Sequence, residues 1–196
     1  MMTSSPKTNK VIGVGFHKTG TTSLSTALSI LGFNNLRGIH FLRYQWGLEK
    51  CMQLLQEKEY EPYLDILENY DSVEDNPWYL IYKEIDDRFP NSKFILTIRD
   101  EQDWLSSCKH FFSDRQKPIH KIIYGVDRFP GNEAIYLARY RQHNQDVIKY
   151  FSNRKEQLLI LDIKKGNCWK KLGEFLNKPV LNLPFPHLNQ RGDLDV

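Results

Sequence analysis

The stretch Gly13 to Leu28, GVGFHKTGTTSLSTAL, constrains this chain more than any other. Before it, the run from Lys10 to Phe16 is nearly all apolar and carries the β-branched Val11, Ile12 and Val14, the pattern of a strand buried on both faces. After it, Leu24, Ala27, Leu28 and Leu31 recur at spacings of three and four, which is a helical stripe. The turn between holds Gly15, Lys18, Gly20, Thr21 and Thr22. Backbone N–H groups at a turn that opens a helix form a concave array of donors at the positive end of the helix. Glycines let such a turn tighten and approach a ligand closely. The threonines add hydroxyls and Lys18 adds a mobile cation. These are the parts of a phosphate cradle.

The cradle is not that of a triphosphatase. That motif needs Gly-Lys-Ser/Thr, whereas here Gly20 is followed by Thr21 and the lysine stands two residues before the glycine. The loop therefore suits a phosphate without magnesium and a triphosphate. The plain alternative is a Gly/Thr-rich turn with a solvated lysine.

At 196 residues the chain is expected to form one domain over residues 10–196, after a flexible tail at 1–9. A net charge of +3 fits an anionic ligand, and no basic–aromatic interleaving points to nucleic acid. Cys51, Cys108 and Cys168 are widely spaced without a CxxC, so neither a disulfide framework nor a metal site is expected. No apolar run approaches the roughly 18 residues of a membrane span, and the opening MMTSSPKTNK lacks the apolar core of a secretory signal. A cytoplasmic protein without a membrane partner is expected; a homodimer stays open.

Along the chain, helices are expected over Thr21 to Leu31, within Phe41 to Lys58, from Pro77 or Trp78 to Phe89, over Glu133 to Phe151 and around Trp169 to Leu176. Lys93 to Arg99, KFILTIR, and Gln157 to Ile163 read as further buried strands. Phe33 to His40 is irregular, with room for a brief strand, and Tyr60 to Asp75 carries no clear period and is open to a lid or a short helix around Leu64 to Tyr70. Strands alternating with helices argue a three-layer α/β sandwich around a mainly parallel sheet. In such sheets ligands lie beyond the carboxyl ends of the strands, where Arg99 stands. Asp75, just before Pro77, is open to two readings: a helix N-cap or a carboxylate of the site. The aromatic-rich stretches Tyr60–Tyr70 and Phe111–Tyr124 are expected to line an acceptor pocket.

The segments GFHKTGTTSLSTALSILGF, DNPWYLIYKEIDDRFPNSKFILTIRDEQDWLSSCKHFF and LLILDIKKGNCWKKLGEFLNKPVLNLPFPHLN together resemble the PAPS-dependent sulfotransferases, most closely their short soluble branch. The specific part is Lys-x-Gly-Thr-Thr followed by an arginine at a strand end with a serine eight residues later. The resemblance implies a P-loop nucleotide-hydrolase-like fold and transfer of the PAPS sulfuryl group to a hydroxyl, or an amine, of a small acceptor. It implies that Lys18, Thr19, Gly20, Thr21 and Thr22, with the neighbouring His17, hold the 5′-phosphosulfate, and that Arg99 and Ser107 hold the 3′-phosphate. The product would be adenosine 3′,5′-bisphosphate. It further implies Lys18 on the leaving phosphate and Asp75 as base, with His17 and His40 in reserve. The larger cytosolic enzymes carry a tryptophan after the two threonines, where this chain has Ser23, and their Arg-Lys-Gly clamp has no match that could be assigned. Two other functions stay open: a nucleotide-binding protein of the same fold without catalysis, and a small-metabolite kinase.

Overall fold

Val11–Gly13 (β1), Asn35–Arg37 (β2), Ser72–Glu74 (β3), Lys93–Ile98 (β4) and Leu158–Asp162 (β5) form one sheet in the order β2-β3-β1-β4-β5. Every pairing is parallel, so all five carboxyl ends lie along one edge. This is a computed structural model that describes residues 9–187, the side chains of residues 39–41 excepted. The expected tail at 1–9 falls outside the described residues but for its last position, as does the end of the closing segment.

The helices are Thr21–Ile30 (α1), Gly38–Trp46 (α2), Leu48–Glu57 (α3), Glu61–Leu67 (α4), Tyr82–Arg88 (α5), Glu101–Phe112 (α6), Pro118–Tyr124 (α7), Glu133–Tyr150 (α8) and Cys168–Leu176 (α9). Gly47, with φ of 84°, splits the single helix expected between Phe41 and Lys58 into α2 and α3. The expected helix from Pro77 is a 3-10 turn, Trp78–Leu80, followed by α5. Helix α1 ends as its glycine suggests: Gly32 N–H reaches Ser29 O and Phe33 N–H reaches Leu28 O, which satisfies two terminal carbonyls.

Strand side chains alternate between two cores. Val11, Ile95 and Leu161 pack with Leu24, Ala27 and Leu28 of α1 and with Trp169 and Leu172 of α9. Ile12, Val14, Val73, Phe94 and Leu96 point the other way, into a larger aromatic core shared by helices α2 to α8. The result is three layers. Beneath α1 runs a polar seam: Ser72 Oγ donates to Asn35 Oδ1 and Asn35 Nδ2 donates to Ser25 Oγ, both at 2.6 Å. Glu74 is wholly buried beside it.

One expectation is overturned here. Lys10 Nζ, just before β1, donates to the carbonyls of Glu68 (3.1 Å) and Tyr70 (2.7 Å). The Tyr60–Tyr70 stretch thus lies at the amino edge of the sheet, away from the carboxyl ends where a ligand would sit. Its Tyr63, Leu64 and Leu67 are core.

Candidate functional site

The turn from β1 to α1 is clamped against β4. Val14 N–H donates to Ile95 O at 2.9 Å. A Cβ on Gly15 would stand 1.9 Å from Thr97 Oγ1, so only glycine fits. Thr19 Oγ1 donates to Phe16 O at 2.5 Å and, having one hydrogen, accepts from Thr97 Oγ1 at 2.6 Å. Lys18 and Gly20 both take left-handed backbone angles, φ of 67° and 101°. For lysine this costs on the order of 1–3 kcal/mol, a strain typical of turns built for a ligand. Ile163, after β5, closes over Gly20, where a Cβ would meet its Cδ1 at 2.4 Å.

His17 and Thr19, grouped by sequence with the ligand-holding residues, turn their side chains inward. His17 lies between Tyr79 Oη, 3.1 Å from Nδ1, and Tyr124 Oη, 2.5 Å from Nε2. Burial pushes its pKa well below the usual histidine range, helped by the proximity of His120, Lys18 and His143. A neutral imidazole engaged at both nitrogens is not placed to take a proton from an acceptor. The side chain of His40, the other reserve base, lies outside the described residues.

Arg99 ends the strand signal as expected, at the carboxyl edge just past β4. Its Nη1 donates to Lys18 O at 3.2 Å. Tyr140 Oη accepts from Arg99 N–H at 3.0 Å and donates to Arg99 O at 2.9 Å, which fixes the strand end. Among the described residues the buried Nε of Arg99 has no hydrogen-bond partner. Buried donors are seldom left so, and this one suits an anion. Helix α6 starts on Asp100, whose carboxylate accepts from the N–H groups of Gln102 and Asp103. On α6, Trp104 Nε1 donates to His17 O at 2.9 Å and the Phe111 ring centroid lies 3.6 Å from Lys18 Nζ. Ser107 stands three residues after Trp104 and four before Phe111, so it shares the helix face that meets the loop.

On the other flank, Asp75 follows β3 directly in a left-handed conformation, φ 69°. Its Oδ2 accepts from Thr21 Oγ1 at 3.4 Å and its Oδ1 from Asn76 N–H at 2.8 Å. It caps no helix: the 3-10 turn after it has no side-chain cap, and α5 begins at Tyr82. The N-cap reading of Asp75 therefore fails, because the element before it is a strand that brings it to the carboxyl edge. Glu74, its neighbour, has its pKa pushed up to about 8, first by burial, with Ser25 and Asn35 near enough to offset part of the rise. Among the described residues neither carboxyl oxygen has a hydrogen-bond partner of good geometry. Sequence reading missed Arg37, at the end of β2, whose Nη2 donates to Thr22 Oγ1. The brief strand allowed for within Phe33 to His40 is β2, but nothing in its sequence singled out Arg37.

The structure thus gathers Lys18, Gly20, Thr21, Thr22, Arg99, Asp75 and the Ser107 face of α6 around the carboxyl end of β1. Helix-terminal donors and two flanking cations can hold an anion at the loop and a second one at Arg99. A carboxylate lies within reach of the loop hydroxyls.

A family model described as "Sulfotransferase domain" matches residues 10–132 and 119–194. The chain is also similar to the Ava biosynthesis cluster protein M of Aspergillus versicolor, 27% identical over 219 aligned positions that cover 91% of this chain and 80% of that protein.

Proposed function

The chain belongs to the sulfotransferase domain family, a family of enzymes that transfer sulfuryl groups, and we propose that it uses PAPS as donor and a hydroxyl or amine of a small molecule as acceptor. PAPS, when bound, supplies an activated sulfuryl group on a phosphate leaving group. The observation that carries the reading is the pair of separate anion-holding groups: the Lys18–Thr22 turn at the start of α1, and Arg99 with its unpartnered buried Nε. A donor with phosphates at both ends of a ribose fits such a pair; a plain nucleotide does not use the second.

The chain's residues divide the work. Backbone N–H groups and the α1 terminus hold the 5′ end. Arg99, with Ser107 on the neighbouring helix face, holds the 3′-phosphate. Lys18 stabilises the negative charge that grows on the departing phosphate oxygen, an interaction strongest in the transition state. Asp75, oriented by the Thr21 hydroxyl, takes the acceptor's proton. No enzyme nucleophile is required. The Phe111–Tyr124 stretch, which meets the loop through Phe111 and Tyr124, forms the acceptor's wall.

Calorimetry with adenosine 3′,5′-bisphosphate and adenosine 5′-monophosphate tests the donor. The bisphosphate should bind much more tightly, and Arg99→Ala should abolish the difference. Equal wild-type affinities would overturn the assignment of the second anion group. Labelled sulfuryl transfer from PAPS to a panel of phenols and alcohols tests the reaction. Tight bisphosphate binding with no transfer to any of them would mark a binding protein, and magnesium-dependent ATP binding a kinase.

A further inference from the structure

The two threonines that open α1 carry opposite hydrogen-bond assignments. Thr21 Oγ1 donates to the Asp75 carboxylate, which can only accept. Thr22 Oγ1 receives an N–H from Arg37. A guanidinium has donors and no acceptor, so the Thr22 oxygen must accept there. Whatever else Thr22 contacts, its own proton points away from Arg37. Thr22 is half-exposed in the first turn of α1, where backbone donors converge on the cradle. Arg37 is in turn held by the sheet: it pairs in register with Glu74, whose buried carboxyl feels its charge.

We infer that Arg37 is a positioning residue of the donor site, which holds the Thr22 hydroxyl as a proton donor toward the 5′-phosphosulfate. The inference rests on the reading of the Lys18–Thr22 turn as the donor's cradle. A guanidinium behind the hydroxyl also polarises its O–H bond, which strengthens the hydrogen bond it makes to an anion. Arg37 thus lies on the β2 side of the loop as Arg99 lies on the β4 side, but it acts through a threonine instead of touching the ligand.

A double-mutant cycle separates this role from direct contact. Affinity for adenosine 3′,5′-bisphosphate is measured by calorimetry in wild type, Arg37→Ala, Thr22→Val and the double variant, each checked for folding by thermal melting. Each single change should weaken binding about tenfold or more, the scale of one charge-supported hydrogen bond. The double variant should be no weaker than Thr22→Val. Thr22→Ser, which keeps the hydroxyl, should restore both affinity and the dependence on Arg37. Should Arg37→Ala fail to fold, Arg37→Met, which keeps the stem and removes every donor, replaces it, with the same expectation in the cycle. Losses that multiply in the double variant would show that Arg37 contacts the ligand itself, and an unchanged affinity of the arginine variant would show no role; either overturns the inference. A wild type that binds no bisphosphate would overturn the donor assignment and this inference together, whereas a binding wild type with multiplying losses would remove the inference alone.

Discussion

The two flanks of the β1–α1 turn are built from different materials. On the β4 side, neutral donors and rings hold most of its backbone, with Arg99 Nη1 at Lys18 O as the charged exception. His143 Nε2–H donates to Val14 O at 2.7 Å, Trp104 Nε1–H holds His17 O, and the Trp104 and Tyr140 rings stack with centroids 4.4 Å apart. On the β2–β3 side stand Arg37, Glu74, Asp75 and a row of hydroxyl and amide groups. One flank fixes where the loop sits. The other sets the charges it faces. Arg99 apart, geometry and chemistry are thereby separated, so changes on the two sides should fail differently.

The largest expected effect is on the charged flank. Asp75→Asn keeps the shape and an oxygen for Thr21 but cannot take up a proton in the same way. Sulfuryl transfer measured in single turnovers should fall roughly 10²–10⁴-fold, with bisphosphate binding kept. Near-normal transfer would reduce Asp75 to a structural neighbour and blur the division between the flanks.

The pH dependence of stability sharpens the contrast next. Glu74 holds its proton to about pH 8 in the folded chain, against an ordinary value near 4.5. Between those values the folded state binds more protons than the unfolded one, so stability falls as pH rises, by up to about 1.4 kcal/mol per pH unit. Glu74→Gln should flatten that slope in denaturant melts at pH 5 to 8. The aromatic flank has the opposite sign. His143 and His120 are buried and neutral, with pKa values lowered to about 4. Their contribution is complete above about pH 6.5 and is lost as pH falls toward 4, so melts between these values should show acid destabilisation that Glu74→Gln does not abolish. Identical pH profiles for wild type and Glu74→Gln would mean that the buried carboxyl has found a partner.

The smallest effect belongs to the backbone clamp. Trp104→Phe keeps the stack on Tyr140 but strands the His17 carbonyl, which should cost about 1–3 kcal/mol in a denaturant melt. The catalytic constant at saturating donor should change little by comparison. A large loss there with no loss of stability would move Trp104 from geometry to chemistry.

The aromatic flank was the more legible in sequence. Strand β4 and the run through Phe16 are buried on both faces and read as continuous apolar stretches. The loop declared itself through Gly15, Gly20 and two threonines. Strands β2 and β3 did not, because each is three residues long and turns polar side chains to the seam under α1: Asn35, Ser72 and Glu74 break any apolar pattern. With β3 unseen, a helix-cap reading of Asp75 stood beside its reading as a carboxylate of the site. A brief strand within Phe33 to His40 was expected only as an option, so Arg37 had no assigned place. The inward turn of His17 was equally hidden, since it depends on Tyr79 and Tyr124, far away in sequence.

The strand order also bears on how the protein is made. Strand β1 is first in the chain yet central in the sheet, paired with Ser72–Val73 on one side and Lys93–Ile95 on the other. Its loop is completed by Thr97, Arg99, His143 and finally Ile163. At roughly 5–20 residues per second of synthesis, on the order of ten seconds pass between the emergence of the loop and of its last support. Until β3 and β4 have followed, Val11, Ile12, Val14 and Phe16 have no strand to pair with. The loop is thus the earliest part of the candidate site to leave the ribosome and the last to be completed.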